Sequence, residues 1–152
     1  MTTPLRPVAI LLVEDNQGDV DLMMESFEEL QILVAVTVAR DGEEAMDILF
    51  KRGAHIDAST PDIIFLDLNL PKRDGREVLH EVKTTPILSR IPVVVLTSSS
   101  AESDILRAYD LHANCYITKP VGFQSLMKTI QSIQEFWFNV AMLPRSGWGG
   151  SL

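Results

Sequence analysis

Side chains able to do metal and phosphoryl chemistry stand at the carboxyl ends of four apolar runs. Val8-Ala9-Ile10-Leu11-Leu12-Val13 ends in Glu14-Asp15, and Ile63-Ile64-Phe65-Leu66 ends in Asp67. Val93-Val94-Val95-Leu96 ends in Thr97, and Cys115-Tyr116-Ile117-Thr118 delivers Lys119 just before Pro120. Three carboxylates brought together repel by roughly 3 kcal/mol per pair at an effective dielectric of about 20. A hard divalent cation offsets this best, and magnesium takes about six oxygen ligands, waters included. A carboxylate so placed can act as a nucleophile and become an aspartyl phosphate. The cation screens the incoming phosphoryl group, and a lysine neutralises one of its oxygens as a compact point charge. Thr97 adds a hydroxyl donor at the same edge.

Singly, each residue has a plainer reading. Asp15 would cap a helix, Lys119 would be a solvated loop lysine, Thr97 a cap or turn residue, and Tyr116 a core aromatic. Asp67 is harder to dismiss, because it follows a buried run and has no helix to cap directly. Their coincidence at strand ends carries the argument.

The elements that must position these residues follow from periodicity and punctuation. Apolar runs at 8–13, 32–39, 62–67, 93–96 and 114–118 read as strands. Helical spacing recurs over 17–30, 42–52, 75–84, 101–111 and 122–138, with Asp15-Asn16 and Asp41-Gly42 as start signals. Five alternating β and α units predict an α/β fold: one parallel sheet with helices on both faces. The near-continuous apolar strands agree, since both sheet faces must be covered. For five units 2-1-3-4-5 is a common strand order, and its crevice lies between the first and third strands. That order brings Glu14-Asp15 beside Asp67.

Composition narrows the class. The chain has 152 residues, enough for one domain with a real core. Net charge is −8, which disfavours nonspecific nucleic-acid binding. No apolar run approaches the roughly 20 residues that span a bilayer, and residues 1–7 lack the apolar region of an export signal. The single cysteine, Cys115, reads as a small strand hydrophobe. The expectation is a cytoplasmic protein with no nucleic-acid or membrane partner.

Together the motifs Val13-Glu14-Asp15-Asn16, Leu66-Asp67-Leu68-Asn69-Leu70-Pro71 with Asp74-Gly75, Leu96-Thr97-Ser98, and Tyr116-Ile117-Thr118-Lys119-Pro120 resemble the receiver domain of two-component response regulators. The resemblance covers 8–138, leaving 1–7 as an N-terminal extension and 139–152 as a C-terminal one, expected to be partly flexible. The stretches Leu70–Leu79 and Arg90–Thr97, and Phe136-Trp137 followed by Leu143-Pro144, look closer still to small stand-alone regulators paired with bacterial phytochrome kinases, known best from cyanobacteria.

The resemblance implies a flavodoxin-like receiver fold and a set of roles. Asp67 would accept a phosphoryl group from a histidine of a sensor kinase. Asp15 and Asp67 would hold Mg2+ through their carboxylates and Asn69 through its backbone carbonyl, with Glu14 holding it mainly through water. Lys119 would contact the acyl phosphate, Thr97 would move towards it, and Tyr116 would change rotamer as a switch. Asn69 and Ser99 would tune the dephosphorylation rate. The Lys119-Pro120 bond would be cis. The chain would be a phosphoacceptor rather than an enzyme acting on a separate substrate. A homodimer through the fourth helix, fifth strand and last helix is implied as well.

The last helix adds its own signal. Phe123, Leu126, Met127, Ile130, Ile133 and Trp137 recur at helical spacing and are expected to face the sheet. Phe136, Phe138, Val140, Met142 and Leu143 exceed what one stripe needs; they would form an interface or fold back on the domain. Trp148 would be disordered or a partner anchor.

Three rival functions remain. A phosphatase of the haloacid dehalogenase type needs an acid two residues past its nucleophile, where this chain has Asn69. A flavodoxin-like FMN carrier needs a phosphate-cradling first loop, where this chain has Glu14, Asp15 and Asp19. A phosphorylation-independent docking module with a receiver fold is the more serious alternative.

Overall fold

The computed structural model describes residues 6–29 and 33–145. Strands β1 (Val8–Val13), β2 (Val34–Ala39), β3 (Ile63–Leu66), β4 (Val93–Thr97) and β5 (Cys115–Thr118) alternate with helices α1 (Gln17–Glu28), α2 (Gly42–Leu49), α3 (Gly75–Thr84), α4 (Glu102–Asp110) and α5 (Phe123–Glu135). The strands form one parallel sheet in the order β2-β1-β3-β4-β5. The expected fold class and strand order both hold.

Strand pleating divides the core in two. Leu11, Val13, Ile64, Leu66, Val93 and Val95 point to one face, where α2, α3 and α4 pack with Ala45, Met46, Val78, Leu79 and Ala108. Ile10, Leu12, Ile63, Phe65, Val94 and Leu96 point to the other, against Val20, Met23 and Phe27 of α1 and Ile130 and Ile133 of α5. Each such side chain stabilises the fold by about 1.5–3 kcal/mol on burial. β1, β3 and β4 are apolar on both faces because both are covered.

Local signals set the helix starts. Asn16 accepts from the Asp19 N–H at 3.0 Å, Asp41 from Glu44 at 2.8 Å and Asp74 from Arg76 at 2.8 Å. These are side-chain N-caps for α1, α2 and α3.

The chain departs from the sequence reading at its C-terminal end. The last helix closes at Glu135, and Phe136–Val140 form a wider π turn. That turn swings the half-buried Phe138 onto the core, edge-on to Phe27 at 6.2 Å and Phe65 at 6.3 Å. Leu143 is buried in the same cluster. Phe138 and Leu143 therefore fold back on the domain, whereas Phe136, Val140 and Met142 stay exposed. Phe123 is 65% exposed instead of facing the sheet, because α5 begins beyond the carboxyl edge of β5 and has no strand beneath its first turn. The Lys119-Pro120 bond is trans, since no described bond is cis; an X–Pro bond needs only about 0.5–1 kcal/mol to favour either isomer.

A buried carboxylate ties both ends of the described chain to the lower edge of the sheet. Asp62 is fully buried and accepts from Ala9 N at 2.8 Å. Arg6 reaches it at 3.2 Å and Arg145 at 3.3 Å. Arg145 also donates to the carbonyls of Arg6 and Pro7. Trp148 lies outside the described residues.

Candidate functional site

The carboxyl ends of β1, β3, β4 and β5 converge on one acidic crevice. Each strand hands over its residue by continuing the ladder one step. Glu14 N–H donates to Ala39 O, Asp67 N–H to Val13 O at 3.0 Å, and Lys119 N–H to Thr97 O at 2.7 Å. The side chains therefore hang from backbone that the sheet already fixes.

Asp67 is the hub. Its Oδ1 accepts from Thr97 Oγ1 at 2.9 Å and from Asn69 N at 3.1 Å; its Oδ2 accepts from Lys119 Nζ at 3.1 Å. Thr97 is fully buried, and the side chain of Lys119 is only 12% exposed. Neither fits the plainer readings of a turn threonine and a solvated lysine. Helix α4 takes Ala101 as its N-cap, and Asn16, not Asp15, caps α1. Asp15 is thus left exposed at the crevice with no cap to serve.

Carboxylate oxygens of Glu14, Asp15 and Asp67 lie within 4.8 Å of one another. The electrostatics are uneven. Burial, together with the neighbouring Asp67 carboxylate, pushes Glu14 up to about 9. Burial acts to raise Asp67 too, but the neighbouring Glu14, hydrogen bonds from Asn69 and Thr97, and the charge of Lys119 outweigh it and hold Asp67 below its usual range. Burial disfavours the Lys119 ammonium, yet Glu14 and Asp19 reverse the sign and raise its pKa. Two acids with pKa values driven apart around one fixed cation make a coupled, charged cluster.

The donor set fits a hard divalent cation. Glu14 Oε2 is buried without a hydrogen-bond partner, and an orphaned carboxylate oxygen inside a carboxylate cluster is the ligand such an ion lacks.

Close backbone packing holds the loop after Asp67. A Cβ on Gly75 would lie 2.4 Å from Asp67 O and 2.6 Å from Leu68 Cα, so only glycine lets α3 begin there. Tyr116 Oη donates to Ser99 O at 2.8 Å, linking β5 to the β4–α4 loop. Ser99 Oγ donates to Asp104, which Arg76 also binds at 2.6 Å. Those hydrogen bonds hold Asp104 below the usual carboxylate range.

Comparison with known proteins decides the family. The response regulator receiver domain profile matches residues 10–131. The chain belongs to that family. It is 46% identical over 138 residues to the response regulator Rcp1 of Synechocystis sp., covering 91% of this chain and 94% of Rcp1. The crystal structure of Mn2+-bound Rcp1 superposes with a TM-score of 0.90, covering 91% of this chain and all of that one. The phosphorylated cyanobacterial phytochrome response regulator RcpA is 49% identical with a TM-score of 0.89, covering 92% of this chain and all of RcpA. This receiver is therefore related to stand-alone phytochrome response regulators, and its relatives bear out the resemblance read from the motifs.

Glu14, Asp15, Asp67, Asn69, Thr97 and Lys119 meet at this crevice, whereas Tyr116 lies within β5 and reaches it only through its bond to Ser99 O in the β4–α4 loop. Asp19 was missed as a participant: its Oδ2 accepts from Lys119 Nζ at 2.9 Å. The sequence marked it only as a third acid beside Glu14 and Asp15, on the first turn of α1. Among the described residues no helix is long and apolar enough to cross a membrane.

Proposed function

We propose that this receiver accepts a phosphoryl group on Asp67 from a phosphohistidine of a sensor kinase, in a magnesium-dependent reaction. The observation that carries the reading is the set of donors on one buried carboxylate: Thr97, Asn69 and Lys119 all bind Asp67. Donors placed where negative charge develops are the largest single source of stabilisation in such transfers.

In the transfer an Asp67 oxygen attacks phosphorus, and the bond from phosphorus to the donor breaks, the leaving group keeping its electron pair. The product is a mixed anhydride. Asp67, held ionised, is ready as nucleophile. Lys119 keeps its proton and neutralises a phosphoryl oxygen. Thr97 exchanges its bond to Asp67 for one to the phosphoryl group. Glu14, Asp15, Asp67 and the backbone carbonyl of Asn69 would hold Mg2+, which supplies charge screening between the acidic cluster and the phosphoryl group.

The signal leaves through the same loop. Thr97 and Ser99 flank the start of the β4–α4 loop, and Tyr116 is bonded to Ser99 O. A shift of Thr97 therefore biases α4, β5 and α5 between two arrangements, a population shift driven by one local charge. Leu106, Tyr109 and Phe123 are exposed on this face, and Phe136, Val140 and Met142 on the C-terminal extension; we assign them to a homodimer interface. The relationship to RcpA supports a phytochrome-type kinase as the phosphoryl source.

The test is incubation with acetyl phosphate and Mg2+, read by intact mass. One added phosphoryl group, absent without metal and absent in Asp67→Asn, is expected. A folded protein that never gains the mass is instead a docking module.

A further inference from the structure

Lys119 donates to three carboxylates: Glu14, Asp19 at 2.9 Å and Asp67 at 3.1 Å. Two of these, Glu14 and Asp67, belong to the cluster able to hold a metal ion, together with Asp15. Asp19 does not. It reaches Lys119 from the first turn of α1, where its own N–H is fixed by the Asn16 cap at 3.0 Å. Lys119 is likewise fixed at its backbone by Thr97 O. Both side chains are largely shielded, 23% exposed for Asp19 and 12% for Lys119.

We propose that Asp19 is a positioning residue for phosphoryl transfer: it anchors the Lys119 ammonium while Glu14 and Asp67 turn their oxygens to the metal and the phosphoryl group. The inference rests on Asp67 being the acceptor. A lysine side chain carries a strongly hydrated charge on a flexible four-carbon stem. Once Asp67 carries the phosphoryl group as an acyl phosphate, its Oδ2 no longer offers a full negative charge. Once Glu14 faces a divalent ion, its attraction for an ammonium is largely cancelled. Asp19 is then the one anionic partner of the three that Lys119 retains. With one of its three hydrogens on Asp19, the ammonium has the others free for phosphoryl oxygens, at a place set by helix α1 rather than by the reacting group. Preorganised charge of this kind acts without reorganising during the reaction.

A purely repulsive role would have the opposite sign. An extra carboxylate near an anionic phosphoryl donor slows its approach, so removing Asp19 would speed phosphorylation. Anchoring has removal slow it.

The experiment compares wild type, Asp19→Ala, Asp19→Asn and Lys119→Ala, with the double variant Asp19→Ala/Lys119→Ala. Phosphorylation by acetyl phosphate is followed by intact mass across acetyl phosphate and Mg2+ concentrations. Asp19→Ala is expected to lower the limiting rate about tenfold, with the Mg2+ midpoint and the melting temperature close to wild type. Asp19→Asn keeps an acceptor oxygen in place and is expected to recover most of that rate. In the Lys119→Ala background, Asp19→Ala is expected to have no further effect. Wild-type or faster phosphorylation by Asp19→Ala overturns the proposal, as does an equal loss with and without Lys119. Labelling of Asp67→Asn is a separate outcome: it defeats the acceptor assignment itself, whereas Asp19 can fail with that assignment standing.

Discussion

Thr97 Oγ1 lies 2.9 Å from Asp67 Oδ1, reaching it from the neighbouring strand. Thr97 is fully buried, so its hydroxyl does not face bulk solvent. Its bond to Asp67 couples the state of that carboxylate to the loop that follows β4. Removing the hydroxyl should leave the acceptor reactive and break the coupling. Thr97→Ala is expected to take up a phosphoryl group, while the change in self-association on phosphorylation shrinks. Sedimentation with and without acetyl phosphate checks it; a wild-type shift in mass would show that the signal leaves by another route.

Glu14 sets a pH dependence. Its folded pKa of about 9 lies above the ordinary 4.5, because burial and the neighbouring Asp67 carboxylate favour the neutral acid. A raised pKa contributes stability that is complete below 4.5 and is lost as pH rises towards 9. The metal-free protein should therefore melt lower as pH rises through that window. Mg2+ competes with the same proton, so its affinity should rise with pH. Glu14→Gln should flatten both trends. Mg2+ midpoints that do not move with pH in the wild type would contradict a Glu14 that holds its proton in the metal-free protein.

Gly75 packs against the backbone of Asp67 and Leu68. Gly75→Ala forces that loop to move, and both strained contacts are backbone atoms that cannot swing aside. A loss of about 2–4 kcal/mol is expected by urea unfolding, together with slower phosphorylation. An unchanged midpoint would mean that α3 can shift without cost.

Asp62 is a separate structural matter at the opposite edge of the sheet. It is fully buried between Arg6, Arg145 and Ala9 N. Asp62→Ala should cost about 3–5 kcal/mol, since it strands cationic and N–H groups. Arg145→Ala should cost less, because Arg6 and Ala9 remain on the carboxylate. The C-terminal extension should become more open to proteolysis in both. Equal costs for the two would mean that the clamp depends wholly on Arg145.

The exposed aromatic at the end of α5 tests self-association. Phe136 is 51% exposed, with Val140 and Met142 beyond it. Phe136→Glu should weaken a homodimer without lowering stability. Phe138→Glu should instead destabilise the fold, because Phe138 packs on Phe27 and Phe65. Unchanged mass in sedimentation for Phe136→Glu would move the interface elsewhere.

What the sequence disclosed follows from how local each signal is. Strand-ending charges such as Asp67 and Lys119 announce themselves, because an apolar run stops at a polar residue beside them. The order 2-1-3-4-5 then brings them together without further information. Asp19 carried no such mark: it is one more acid on a helix start, and only the fold puts Lys119, a hundred residues on, within reach. The Asp62 clamp is hidden for the same reason, joining Arg6 and Arg145 across nearly the whole chain. The last helix was expected to run to residue 138, because helical spacing continues through a segment that widens into a π turn.

The central claim is that Asp67 is the residue that carries the phosphoryl group. The most direct measurement is to phosphorylate the protein with acetyl phosphate and Mg2+, reduce the acyl phosphate with borohydride, and read the modified position by peptide mass spectrometry. The expected result is conversion of residue 67 alone to homoserine, with Glu14, Asp15 and Asp19 unmodified. Reduction at any other carboxylate, or none in a protein that has gained the phosphoryl mass, would contradict it.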